Sequence, residues 1–445
     1  MEVEDGGGGN TQKDSQGSHQ FKGLVGLSPL SWRLFRRGIS GTSFLFLAIL
    51  VIGASIFLVD FSSLSSSISV IVGGIHNLDE EFPDPTPTKK PTLIFPLNCS
   101  AVEESCKTNN NPPTHNPERP PSSCPAYFRW IYEDLRPWNA TGITRDTLES
   151  GKEYAHFRLA IINGKAYLEK YRNAYQTREL FNIWGIVQLL RMFPGKVPDL
   201  ELMFRCEDRP VIEKKHYKGR DAAVPPVLFS YCAHDDNYGV VFPDWSFWGW
   251  VEVRIRPWIG IVEAIKEGSN VTKWEDRVPY AYWKGSFLSK NRKDLKKCNP
   301  TSFYDWNVRA YNQDWRKEFE AGFQHSNLED QCTHRYKIYV EGLGWSVSEK
   351  YILACDSMTL MIKPEFHDFF SRGMEPLKHY WPIRRSNKCK DIKFAVDWGN
   401  QHPEQAQAIG KGGSRFTQED LKMENVYSYM LHLLTEYAKL QKFEP

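Results

Sequence analysis

The chain has 445 residues, 41% apolar and 14% aromatic, with 56 Lys and Arg against 54 Asp and Glu and a formal net charge of +2. So small an imbalance produces no large single-sign field, which argues against a nucleic acid or an acidic polymer as partner. The length leaves room for a sizeable core and for two domains of ordinary size.

Residues 1–37 are expected to form a disordered cytosolic tail, since the first 31 are rich in Gly, Ser, Gln and Lys and hold few large apolar side chains. The run from Gly38 to Val59 is uncharged and mostly apolar. At ~1.5 Å rise per residue it is long enough to cross a ~30 Å hydrocarbon core, so a single transmembrane signal anchor is expected at 38–59. Arg33, Arg36 and Arg37 precede it and Asp60 follows. The positive-inside bias then puts everything after Asp60 in the lumen or outside the cell. The leading segment is too long for the n-region of a cleaved signal peptide.

Residues 60–123 are Ser-rich and then Pro-rich, an extended lumenal stem that spaces the remainder from the bilayer. The folded head is expected at 124–445. All nine cysteines, from Cys99 to Cys389, lie on the lumenal side, where disulfides persist; none has zinc-ligand spacing, and their odd number leaves at least one unpaired within the chain. Asn98, Asn139 and Asn270 each open an N-x-[ST] triplet, the acceptor pattern for N-glycans.

Within the head, apolar strands alternate with amphipathic helices, an α/β pattern of parallel sheets covered by helices. Phe157–Ile162 and Lys165–Tyr171 flank Asn163-Gly164, a two-residue hairpin signal. Thr177 is placed to cap a helix carrying Leu180, Ile183, Trp184, Val187 and Leu190 on one face, ended by Pro194-Gly195. Leu200–Cys206 reads as a strand running into Glu207-Asp208-Arg209-Pro210. Further on, Lys337–Glu341, Ser346–Cys355 and Ser357–Ile362 read as one βαβ unit with a tight turn at Gly342 and Gly344. Thr417 with Asp420 opens a last helix whose Leu421, Val426, Met430, Leu433, Leu434 and Tyr437 recur at helical spacing.

Several residues carry possible chemistry. Asp208 sits where a strand ends, the place where ligands bind in open α/β sheets, and Arg205 and Arg209 beside it would keep its carboxylate ionised. The alternative is that it merely closes a turn before Pro210. Ser346 and Glu349 have capping-box spacing after two glycines, and such a helix start, with Ser348 and Lys350, offers donors to a phosphate; an ordinary βα turn has the same composition. Lys284, Gly285 and Ser286 lead into Lys290, Arg292 and Lys293, where an arginine can fork two diphosphate oxygens or simply join a solvated charge run. Trp245, Phe247 and Trp248 offer flat faces for sugars but are core material first. His234-Asp235-Asp236-Asn237 resembles the acidic cluster of metal-dependent sugar transferases and is also common turn composition.

Five segments together carry a wider resemblance: Phe204–Pro210, Phe229-Ser230-Tyr231, Phe242–Trp248, Ala281–Ser286 and Gly344–Lys350. In that order, and over residues from about Cys124 to Tyr437, the chain resembles the protein O-glucosyltransferases of the Rumi type, glycosyltransferase family 90, with plant members nearest. The resemblance implies a GT-B-like fold, two Rossmann-like domains facing across a cleft, with a UDP-sugar held mainly by the C-terminal one. It implies an inverting, metal-independent transfer of a sugar, glucose or xylose, to a hydroxyl of a protein or glycan, with no cofactor besides the UDP-sugar substrate. Asp208 stands at the family's general-base position. Lys284, Gly285, Ser286, Arg292, Ser346, Ser348 and Lys350 stand on the nucleotide-sugar side, and Trp245 and Phe247 on the acceptor side.

Cys332 and Cys355 resemble a disulfide-linked pair of the family. The chain departs from the pattern at Lys284, a point charge where the family has a planar arginine, and at Ser348, where the animal enzymes have another arginine. Without a retrieval signal at Lys442-Phe443-Glu444-Pro445, the expected location is the Golgi membrane as a single-pass type II protein, with the endoplasmic reticulum second. Two alternatives remain at this point: a metal-dependent transferase using Asp235 and Asp236, and a transferase-like binding subunit without turnover.

Overall fold

The computed structural model describes residues 124–219 and 222–445. The expected tail, anchor and stem, and the Asn98 triplet, lie outside the described residues. Among the described residues, no helix is long and apolar enough to cross a membrane.

Two short helices, α1 (Trp130–Leu135) and α2 (Arg145–Glu149), lead in. The expected hairpin follows as β1 (Phe157–Ile162) and β2 (Lys165–Lys170), paired Ile162 to Lys165. Asn163 and Gly164 take φ of 50° and 73°, left-handed backbone that these two residue types tolerate best.

Helix α3 (Arg178–Met192) is present as expected, but its apolar stripe is only partly covered, with Ile183, Val187 and Leu190 half-buried. The buried side holds Arg178, Glu179, Asn182, Gly185, Ile186 and Leu189, while Leu180 is 61% and Trp184 53% exposed. Two features turn the polar stripe inward. Asn182 is satisfied at both ends, its Nδ2 donating to Pro243 O at 2.9 Å and its Oδ1 accepting from Tyr231 at 2.7 Å. Gly185 lies under Trp248, where an added Cβ would come within 2.3 Å of the indole. Thr177 occupies the N-cap position without capping; its amide and hydroxyl both donate to Glu252.

Next come β3 (Leu200–Phe204), fully buried, β4 (Ile212–Glu213), β5 (Phe229–Ser230), β6 (Ala233–His234), β7 (Asn237–Tyr238) and β8 (Val240–Val241). The first sheet has the order β2-β1-β3-β5-β8, with β1 antiparallel to both neighbours and β3, β5 and β8 parallel. Helix α4 (Trp258–Val271) leads to the second half.

That half runs β9 (Val278–Gly285), α5 (Lys290–Lys296), β10 (Val308–Asn312), α6 (Trp315–Glu320), β11 (His334–Tyr339), α7 (Ser348–Leu353), β12 (Met358–Ile362), β13 (Phe366–His367) and β14 (Trp381–Ile383). The second sheet, β10-β9-β11-β12-β14, is parallel throughout. The βαβ unit expected around Gly342 is β11-α7-β12, with a helix shorter than the spacing suggested. Two ribbons complete the pairing: β4 with β7, and β6 with β13, the latter tying the first half to the second.

Helices α8 (Lys388–Gln401), α9 (Pro403–Arg415) and α10 (Met423–Leu440) close the chain. The last begins later than expected. Thr417 donates its hydroxyl to Ser414 O within a π-helical turn, Phe416–Asp420, instead of capping. The six apolar residues expected on this helix are all buried, and they pack on the first sheet. Tyr429 donates to Val241 O at 3.0 Å, and Tyr437 to Glu201 O at 2.8 Å.

Cys332–Cys355 and Cys298–Cys389 are disulfides, and Cys124 is disulfide-bonded as well. Cys206 and Cys232 are buried free thiols. Asn139 and Asn270 are exposed.

Candidate active site

Asp208 follows the carboxyl end of β3, in a stretch held from several directions. The Arg205 amide donates to Phe229 O at 2.9 Å, and the Cys206 amide donates to His156 Nδ1 at 3.2 Å. Burial holds His156 at a pKa of about 4, well below the usual imidazole value, so at neutral pH the ring is the neutral acceptor this bond requires. From the second half, the turn after β11 presses against the same stretch. A Cβ on Gly344 would sit 1.8 Å from the Asp208 carbonyl oxygen, so only glycine fits there, and Arg209 Nε donates to Leu343 O at 2.5 Å.

The cation that pairs with Asp208 is neither of its sequence neighbours. Arg205 is spent on Tyr154 O and Glu207, and Arg209 on the Leu343 carbonyl. Arg178, the first residue of α3, donates to Asp208 Oδ1 at 2.7 Å. Its guanidinium lies 4.3 Å from the Trp245 ring centroid and 5.2 Å from that of Tyr175. An aromatic bed of this kind fixes a guanidinium with little loss of its hydrogen-bonding capacity. Asp208 faces a cavity of about 760 Å3 whose walls include Tyr175, Arg178, His234, Leu343 and Phe366. That size lies within the ~300–1,000 Å3 range of small-molecule sites.

Part of the expected nucleotide-sugar set does converge. Strand β9 ends at Gly285, and the guanidinium of Arg292, in the first turn of α5, donates to Ser346 Oγ at 3.1 Å and approaches Ser286 O at 3.5 Å. Ser346 and Ser348 share a hydrogen bond at 2.9 Å. Arg292 Nε is buried with no partner, a donor still unspent. Burial lowers the Arg292 pKa, opposed by Tyr339 and Asp208, yet a guanidinium stays charged.

Other members of the set lie elsewhere. Lys284 Nζ pairs with Glu318 at 3.2 Å and donates to His325 O at 2.7 Å, so its charge is drawn toward α6. Lys350 is 1% exposed and donates to Ser246 Oγ at 2.7 Å and Asp244 Oδ2 at 3.4 Å. It is a buried clamp between α7 and the first half. Trp245 and Phe247 are 1% exposed each, core residues that reach the cavity only through Arg178 on the Trp245 ring.

The expected capping box is not formed: α7 starts at Ser348 with Val347 at its cap position, and Glu349 is buried. Burial, reinforced by Asp368, raises the Glu349 pKa well above the usual carboxylate range. Asp235 and Asp236 form the turn between β6 and β7, with the Asp236 side chain 90% exposed. Among the described residues, no group of three or more His, Cys, Asp or Glu is arranged to hold a metal ion.

Arg178, Tyr175 and Phe366 were not singled out from the sequence. They sit in other elements, far along the chain from Asp208, and no local spacing links them to it.

The family model for Glycosyl transferase family 90 matches residues 119–445. Among similar proteins, the O-glucosyltransferase rumi homolog of Aedes aegypti is 26% identical over 335 residues, covering 73% of this chain and 80% of that protein. O-glucosyltransferase rumi of Drosophila melanogaster is 24% identical over 340 residues, 73% of this chain and 79% of its own. Protein O-glucosyltransferase 1 of Homo sapiens is 24% identical over 338 residues, 72% of this chain and 82% of its own. With the family match spanning most of its length, the chain belongs to glycosyl transferase family 90 and is a glycosyltransferase.

Proposed function

We propose that this glycosyltransferase moves a sugar, glucose or xylose, from a UDP-sugar to an acceptor hydroxyl with inversion and without a metal ion. The observation that carries this reading is the Asp208 carboxylate just after a strand end, facing a cavity and held by Arg178, while its main-chain carbonyl packs against Gly344 of the second half. In this reading the two halves act as GT-B-like domains, with the donor on the parallel-sheet side.

Arg178 engages Oδ1 of Asp208, which leaves the other carboxylate oxygen to accept the proton of the incoming hydroxyl. As that proton leaves, the acceptor oxygen attacks the anomeric carbon and the bond to UDP breaks on the opposite face. Arg292, with the hydroxyls of Ser286, Ser346 and Ser348, supplies donors to the departing diphosphate, the task a metal performs in other transferases. General-base help of this kind is worth ~10²–10⁴-fold, with alignment of the attacking oxygen providing more.

The lumenal placement rests on the anchor expected at Gly38–Val59 and agrees with the disulfides, which persist in an oxidising compartment. We place the protein in the Golgi membrane.

The test is UDP release by the purified protein over a panel of UDP-sugars, with and without acceptors. Asp208→Asn is expected to keep UDP binding and lose turnover by ~10²–10⁴-fold; near wild-type transfer by that variant rules the base assignment out. Activity in excess chelator is expected to persist, and its loss would transfer the mechanism to a metal site.

A further inference from the structure

The basic run after Ser289 holds more charge than the one arginine that the transfer step uses. Residues 290–297 carry five cations against Asp294 alone, and residues 384–393 another five against Asp391 alone, in a chain whose net charge is +2. The two stretches are neighbours in space. Cys298–Cys389 joins the end of α5 to the start of α8, and Lys388 Nζ lies 3.9 Å from Asp294. Part of this charge is spent locally: Lys297 pairs with Asp294, Arg384 with Asp391, Arg385 with Glu341 and Glu365, and Lys393 with Asp397. Lys290, Lys293, Lys296 and Lys390 are exposed and have no ion-pair partner among the described residues. Burial lowers the Lys388 pKa; Asp294 opposes the shift, and Arg385, Lys297 and Lys290 reinforce it, as cations crowded on one surface do.

Ring contacts connect this surface to the diphosphate side. Lys296 Nζ lies 5.7 Å from the Phe287 ring centroid, Phe287 packs on Trp283 at 5.1 Å between centroids, and the Arg292 guanidinium lies 5.5 Å from the Trp283 ring. Helix α5 has seven residues and so is about 10 Å long. Its free lysines therefore act on the space before Arg292 across about one Debye length at physiological ionic strength.

Resting on the reading of a UDP-sugar as donor, we propose that Lys290, Lys293 and Lys296 form an electrostatic entry path that captures the nucleotide diphosphate and delivers it to Arg292. The donor is a dianion whatever sugar it carries. A surface with an excess of the opposite charge concentrates such a ligand and raises its association rate by roughly 10–10³-fold. Arg292 is half-buried and already donates to Ser346, which suits it to hold the diphosphate at the end of the path. The exposed lysines carry hydrated point charges on flexible stems and attract without imposing a geometry. They act on arrival, and the bound state depends on Arg292.

The experiment is stopped-flow mixing of the full-length protein in detergent with fluorophore-labelled UDP, which reads association and dissociation separately. The triple variant Lys290→Gln/Lys293→Gln/Lys296→Gln keeps good helix formers on α5. At low salt its association rate is expected to fall about tenfold, with dissociation within about twofold of wild type. In ~1 M salt, where the Debye length is about 3 Å, the difference is expected to vanish. A control triple, Lys165→Gln/Lys266→Gln/Lys411→Gln, removes the same charge from exposed positions on β2, α4 and α9. Its association rate is expected to stay within about twofold of wild type.

A low-salt association rate in the α5 triple equal to that of wild type overturns the inference. So does an equal fall in the control triple, which makes the effect one of net charge. Calorimetric titration of the wild type with UDP separates the two levels. UDP binding with an association rate insensitive to salt overturns the entry path alone, whereas absence of UDP binding overturns the donor reading with it.

Discussion

The two sheets are held together in different ways. The second is built from consecutive βα units, so its strands find their neighbours close in sequence, and its core is a separate cluster from Trp274 to Ile409. Cys298–Cys389 ties the end of α5 to α8 within that same half. The first sheet is completed from far away, by α10 on its strands, by the β6–β13 ribbon and by Lys350 reaching Asp244. The Asp208 carboxylate sits in this second kind of construction, where long-range contacts position each side chain. A half that closes its own hydrogen bonds is suited to serve as a platform, and a half stitched from distant segments can bring Arg178, Asp208 and Phe366 to one place.

The sharpest way to break this comparison is at the stitch. Lys350→Met leaves the Asp244 carboxylate buried without its cation, and removing one partner of a buried pair costs ~3–5 kcal/mol. The denaturation midpoint of the purified protein is expected to fall accordingly; an unchanged midpoint means the clamp does not hold the halves.

A smaller effect separates the two faces of α3. Gly185→Ala drives a methyl into the Trp248 ring and is expected to cost ~1–3 kcal/mol as overpacking. Leu180→Ala and Trp184→Ala, on the exposed face, are expected to stay within ~0.5 kcal/mol. A larger loss at Trp184 than at Gly185 in the same melts reverses the assignment of the buried face.

A third expected effect is a pH dependence shared by the halves through different groups. Burial lowers the His156 pKa from 6.5 to about 4, so between those values the unfolded chain holds a proton the folded one lacks, and stability declines as pH falls through that window. In the second half, burial together with Arg277 lowers the Lys337 pKa from 10.5 to about 7, so stability declines as pH falls from 10.5 to 7. Lys337→Met is expected to flatten the upper window and leave the lower one, and His156→Gln the reverse. Thermal melts from pH 4 to 10.5 read both, and identical profiles for wild type and Lys337→Met contradict the burial of an uncharged amine.

Much of the second half was legible in the sequence. The β11-α7-β12 unit announces itself because β12, buried on both faces, is an apolar run, and a glycine turn between strand and helix is a local signal. The β1–β2 hairpin was equally plain, since Asn163-Gly164 specifies its own turn. In the first half, periodicity did not show which residues of α3 are most deeply buried, because polarity misleads where buried partners satisfy Asn182 and an indole fills the space over Gly185. Ser346 and Glu349 have capping-box spacing, yet Arg292 draws on the serine and Glu349 turns inward. The position of Asp208 at a strand end was visible in the chain; its cation was not, because Arg178 reaches it from another element.

The sequence by itself determined the alternation of strands and helices, the local turns, the family and the carboxylate at the end of β3, because each is written in short-range spacing or in motifs that survive as strings. Only the tertiary structure decided which arginine pairs with Asp208, that Lys350 is a buried clamp and Lys284 is drawn to Glu318, and that Trp245 supports the site from beneath. The physical reason is common to all of these. An ion pair or a ring contact is chosen by distance and desolvation between residues far apart in the chain, and neither quantity exists until the chain is folded.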